Sequence, residues 1–129
     1  MAMTLDGFLP DEEHPLMRWV KTSKHGFPYW QERSSFCLPI GYPMLNLIIK
    51  KESKDDSFIY LAEISDEQQM ELLNALLLYK VVDEWIIYHL PDTKRSECYL
   101  ADKLAIDDWH LKSVRKYKNN VYRMIYSKR

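Results

Sequence analysis

Seven residues near the carboxyl end have the side chains that contact a polyanion: Trp109, Lys112, Ser113, Arg115, Lys116, Lys118 and Arg123. Lysine can donate to phosphate or to guanine, and serine to either. Neutralising phosphates with basic side chains gives binding that weakens steeply with salt. Charge along the chain agrees with this reading. Residues 94–129 hold 10 Lys/Arg against 4 Asp/Glu, whereas residues 1–93 hold 8 against 15. Such asymmetry points to a nucleic acid or another anionic surface, or equally to a head-to-tail electrostatic fit within the fold or between copies.

Other chemistry has little support. Gly7, Gly26 and Gly41 stand alone, so there is no phosphate-binding loop. His14, His25, His89 and His110 have no metal-ligand spacing with one another or with Cys37 and Cys98. Cys98 beside Glu97 has no activating neighbour. Asp55-Asp56 and Asp107-Asp108 read as turn and cap residues. No catalytic group, metal or cofactor is expected. An enzyme would show itself by a deep pocket near His89 or Cys98.

The elements that would position the basic residues follow from periodicity. Asp107 caps a helix running to about Lys118, and Thr93 or Ser96 caps another ending near Ala105. Val121–Tyr126 alternates and predicts a final strand after the Asn119-Asn120 turn. Ser65 and Gln68 form a capping box for a helix to Lys80. Residues 81–90 read as a continuation of helix, although their β-branched content equally suits a strand. Met44–Lys51 and Ser57–Ile64 alternate and predict a β-hairpin closed by Glu52–Asp56. Upstream, Asp11 to Pro15 opens a short helix ending near Gly26. Residues 27–43 read as an aromatic loop pinned to the core by its rings, with one short strand around Ser34–Leu38.

The segment Glu97–Lys116 resembles the helix-turn-helix unit of prokaryotic and phage DNA-binding regulators. Small Ala101 falls where the second helix crosses the first, and Leu104, Ile106, Leu111 and Val114 take the inward positions. Two positions depart. Ala105 stands where glycine takes a left-handed conformation cheaply, and bulky Trp109 stands on the groove-facing side. The resemblance implies a second helix in the major groove presenting Asp108, Trp109, Lys112, Ser113 and Lys116, with Arg115, Lys118, Arg123, Lys128 and Arg129 neutralising the backbone.

At 129 residues, 47% of them apolar, the chain can build one real core. No apolar run approaches the ~20 residues of a membrane span. The first residues have neither a basic nor an apolar signal region, so a cytoplasmic location is expected, with free thiols. The expected fold is α+β. An N-terminal part, 1–64, has a helix, aromatic loops and a hairpin; a C-terminal helical part, 65–129, has the helix-turn-helix-like segment and a terminal strand, and the two form one compact unit. The expected function is that of a small transcriptional regulator binding double-stranded DNA, with a homodimer contact through 66–90. The rival is a protein-interaction module, such as an inhibitor, immunity protein or adaptor of phage or plasmid type, binding its partner through the acidic, aromatic-rich residues 1–64.

Overall fold

Strand β5 (Glu84–His89) carries the run Trp-Ile-Ile-Tyr and is buried on both faces. Continuous apolar runs of this kind belong to strands covered on both sides, which is why periodicity could not separate strand from helix here. In the computed structural model, which describes residues 1–53 and 57–128, the fold is α+β. The main sheet has the order β1-β5-β8-β7, where β1 is Ala2–Met3, β7 is Trp109–Lys116 and β8 is Tyr122–Lys128. β1 runs parallel to β5, and β8 is antiparallel to both β5 and β7.

One face of the sheet is covered by α1 (Pro15–Thr22) and α2 (Phe27–Arg33). Met17, Val20 and Phe27 pack there with Tyr88, Leu90, Tyr117 and Val121. The other face is covered by α4 (Met70–Leu78) and the short α5 (Ala101–Leu104). Leu72, Leu73, Leu76 and Leu104 pack there on Trp85, Ile87 and Tyr126. Residues of 1–64 and of 65–129 contribute to both clusters.

The α1 start is as expected, but its cap is His14. The Nδ1 atom of His14 accepts from the Leu16 N–H at 3.0 Å, while Nε2 lies 2.7 Å from Asp92. The buried imidazole therefore ties the helix start to the loop after β5. Residues 27–33, expected as loop, form α2 with Pro28 in its first turn. The Gly26 Cα sits so close to α1 that an added Cβ would lie 2.0 Å from the Val20 carbonyl oxygen. Only glycine allows that approach.

The expected β-hairpin over 44–64 is absent. Met44–Glu52 is helix α3, and the second strand shrinks to β4 (Tyr60–Leu61). β4 pairs in parallel with β3 (Phe36–Cys37). A parallel pair needs a crossover connection, and α3 supplies it. The alternation of Leu45, Leu47 and Ile49 was misleading: Leu47 is buried while Leu45 and Ile49 are exposed. Of the hairpin loop expected over Glu52–Asp56, residues 54–56 lie outside the described residues.

The capping box is displaced by one residue. Asp66 accepts from the Gln68 N–H at 2.9 Å, and the Gln69 side chain reaches back to the Asp66 N–H, opening a 3-10 turn (Glu67–Gln69) before α4. Leu72, Leu73 and Leu76 on α4 face inward; Leu78 at its end and Tyr79 just beyond it are exposed.

The helix-turn-helix geometry is not present in residues 97–116. The first expected helix is strand β6 (Arg95–Tyr99), antiparallel to β2 (Phe8–Pro10), followed by the single turn of α5. The second is a 3-10 turn (Ile106–Asp108) and then β7. Leu111 and Val114, expected inward, are 44% and 49% exposed. The hairpin β7–β8, turning at the expected Asn119-Asn120, overrides local helix preference because it completes the sheet. β8 pairs back onto 84–89, so the expected terminal strand is present.

Ala105 does adopt the left-handed conformation expected of its position, with φ 46° and ψ 50°. A side chain there costs about 1 kcal/mol relative to glycine. Ala105→Gly is therefore expected to raise stability by about 1 kcal/mol, read as a higher urea midpoint at unchanged slope. A lower midpoint would show that Ala105 makes a contact worth more than its strain.

Candidate functional site

A cleft of about 930 Å³ opens along the edge of β5. β1 pairs with that edge at Tyr88 and His89, and the Met1 amine adds a bond to the Ile86 carbonyl at 2.9 Å. Toward Glu84, no strand among the described residues pairs with it. The cleft is walled by Phe27, Trp30 and Arg33 of α2, by Leu47, Lys50 and Lys51 of α3, and by residues 58–64. Leu73 and Leu76 of α4, with Trp85 and Ile86, close its base. Each wall exists for a reason already given. Gly26 lets α2 turn back against α1, and the parallel β3–β4 pair forces α3 across the opening.

The polar groups in the cleft fall into two sets. Many are already engaged. The Trp30 Nε1–H donates to the Tyr88 hydroxyl at 2.9 Å, which donates to the His25 carbonyl at 2.6 Å. Burial pushes the Tyr88 phenol up to about 12, so it stays protonated and the chain of bonds stays intact at neutral pH. Lys51 donates to the Val81 carbonyl and to Asp83, which Lys128 also meets at 3.2 Å. Burial pushes Asp83 up, but the bonds and charges of Lys51 and Lys128 outweigh it and hold the carboxyl below its ordinary value. Gln31 bonds Glu63, and Lys112 pairs with Glu84 at 3.3 Å.

A smaller set is uncommitted. The Lys50 ammonium has no side-chain partner among the described residues. Trp85, 6% exposed, leaves its Nε1–H without an acceptor. An apolar base, aromatic walls and a few free polar groups are the features of a small-molecule site. Trp30 and the 27–43 rings were legible as aromatic chain, but as a loop pinned to the core. Lys50 and Trp85 carried no signal, since only the open edge of β5 brings them together.

The seven sequence-predicted residues do not form one surface. Trp109 packs edge-on against Trp85, ring centroids 5.8 Å apart. Lys112 lies at the irregularity between Leu111 and Ser113, and Ser113 stands opposite Ile125. Strand alternation sends Arg115 and Arg123 to the α1–α2 face and Lys116 to the other, where its ammonium lies 5.8 Å over the Tyr122 ring. Lys118 is exposed at the hairpin end, and Arg129 lies outside the described residues.

A second cavity of about 420 Å³ lies beside His89, lined also by Met3, Asp102, Asp107 and Tyr126. The His89 Nε2 is buried without a partner. Burial, and then the charge of the Met1 amine, holds the imidazole below its ordinary pKa. The unfolded chain therefore takes up this proton first as pH falls. Stability contributed by His89 is complete above about pH 6.5 and declines below it. Urea denaturation at pH 7.5 and 5.5 should show this loss, and His89→Gln should remove part of it. An identical loss in the variant would assign it elsewhere.

No helix among the described residues is long and apolar enough to cross a membrane. No protein-family model matches the chain. No curated protein matches it. Among solved structures it is similar to a protein from Shewanella sp. PV-4 named as a candidate riboflavin biosynthesis protein. The TM-score is 0.50 at 13% identity, covering 100% of this chain and 96% of that one. At that identity the likeness is one of fold.

Proposed function

We propose that the protein binds a small, flat, largely apolar molecule in the cleft beside β5. The observation that carries this reading is the cleft itself, about 930 Å³ with an apolar base and Trp30 in its wall. Ligand sites of this kind commonly enclose ~300–1,000 Å³. Lys50, free of side-chain partners among the described residues, would meet a carbonyl or an anionic substituent. The name of the Shewanella structure makes a nitrogen heterocycle of the riboflavin type the first class to try.

The test is titration of riboflavin and its 5′-phosphate with the protein, following flavin fluorescence. Saturable quenching is expected. Ala62→Trp, which would place an indole in the cleft, should weaken it by at least about tenfold without lowering the melting temperature. Absence of binding to either compound would remove the flavin class, and quenching unchanged in Ala62→Trp would remove the cleft.

A second reading keeps duplex DNA as partner and rests on Lys112, Arg115, Lys116 and Lys118, exposed along one edge strand and its turn. The major groove admits a two-stranded β-ribbon as well as a helix. In this reading Lys116→Glu with Lys118→Glu abolishes salt-sensitive binding to a labelled duplex, measured by fluorescence anisotropy. Binding unaffected by that pair would retire the hairpin as the contact.

A further inference from the structure

Arg115 and Arg123 stand directly opposite each other on β7 and β8. Residues so paired have their Cβ atoms about 5 Å apart on one face, where like charges repel and destabilise the sheet. A protein usually answers such a pair with a carboxylate. Among the described residues neither arginine forms an ion pair. Each guanidinium instead lies over a ring, Arg115 5.1 Å from the Tyr117 centroid and Arg123 5.7 Å from that of Trp30.

Both rings contact Tyr88. Tyr117 stacks on it at 6.5 Å, and Trp30 donates to its hydroxyl. The two cations are thus held on one aromatic platform. Two polar atoms there are buried and unpaired: Arg123 Nε and the hydroxyl of Tyr117, a residue only 8% exposed. Tyr117 lies just past the end of β7 and packs with Tyr88 on the α1–α2 face. Arg123 is not among the residues lining the large cleft. The two arginines and Tyr117 therefore lie outside the cleft proposed above, while Trp30 and Tyr88 belong to both.

We propose that Arg115 and Arg123 form an anion-binding site for a phosphate-class dianion, presented either as free phosphate or as a phosphate monoester. A doubly charged tetrahedral oxyanion would relieve the repulsion of both guanidiniums at once. It also matches the planar donor forks of arginine, which bind phosphate through paired N–H groups. A carboxylate monoanion would relieve one charge only. Rings beneath the guanidiniums restrict their motion, so less freedom is lost on binding.

The experiment is calorimetric titration of the full chain with inorganic phosphate and, separately, with phenyl phosphate, at ionic strength held constant with sodium chloride. One site per chain is expected for at least one probe. Binding of both places the specificity in the phosphate group, whereas binding of only one identifies free phosphate or the monoester as the source. Acetate should bind about tenfold more weakly or worse. Exposed Arg115→Gln, and separately Arg123→Lys, should each weaken phosphate by about tenfold or more, the second retaining charge but losing the fork. Exposed Lys94→Gln should leave it unchanged. Binding to neither phosphate probe, acetate equal to phosphate, or affinity unaltered in the arginine variants would overturn the site. So would duplex DNA binding that the arginine variants abolish, in the absence of any phosphate binding, which would assign the arginines to nucleic acid.

Discussion

The fold depends on keeping one strand dry on both faces. β5 pairs with β1 on one edge and β8 on the other, and its side chains alternate between the two core clusters. Trp85 and Ile87 require α4 and α5 above them; Tyr88 and Leu90 require α1 and α2 below. Fully burying a side chain of this size contributes roughly 1.5–3 kcal/mol. Losing either helical layer would expose several such groups together, so neither layer is dispensable to the sheet.

Tyr88 shows what such burial demands of polar atoms. Its ring belongs to the core, yet its hydroxyl has to be satisfied. Trp30 from α2 and the His25 carbonyl from the α1–α2 turn do this together. These bonds set the position of α2 against the sheet and hence one wall of the cleft. The opposite wall follows from a backbone constraint. Because β3 and β4 run parallel, the chain between them has to cross over, and α3 crosses at the mouth. The cleft is what remains where β5 extends beyond β1.

The basic residues of the last third are distributed by the same sheet. Alternation along β7 and β8 separates Lys116 from Arg115 and Arg123, while Lys112 and Lys128 reach acids at the entrance to β5. The local charge excess of residues 94–129 is thus partly answered by acids earlier in the chain, in the head-to-tail sense that composition allowed. Arg115 and Arg123, like Lys94, Lys103, Lys116 and Lys118, form no such ion pair among the described residues, and they alone of these stand opposite each other across a strand pair.

Several features were decided by local sequence. Pro15 opens α1, the 65–69 segment caps the helix after it, and Asn119-Asn120 turns the last hairpin. The mixed α+β class and the terminal strand were legible for the same reason: short-range backbone sterics and caps act within a few residues. The pairing partners were not legible. Whether 44–52, 84–89 and 109–116 became helix or strand was settled by β3–β4 running parallel and by β5 and β8 closing a sheet. Those hydrogen bonds join residues far apart in the chain, and their free energy outweighs the fraction of a kcal/mol per residue that intrinsic propensity supplies. The candidate sites inherit that dependence. Trp30, Lys50 and Trp85 line one cleft only because β5 has an open edge, and Arg115 faces Arg123 only because of the register of the final hairpin.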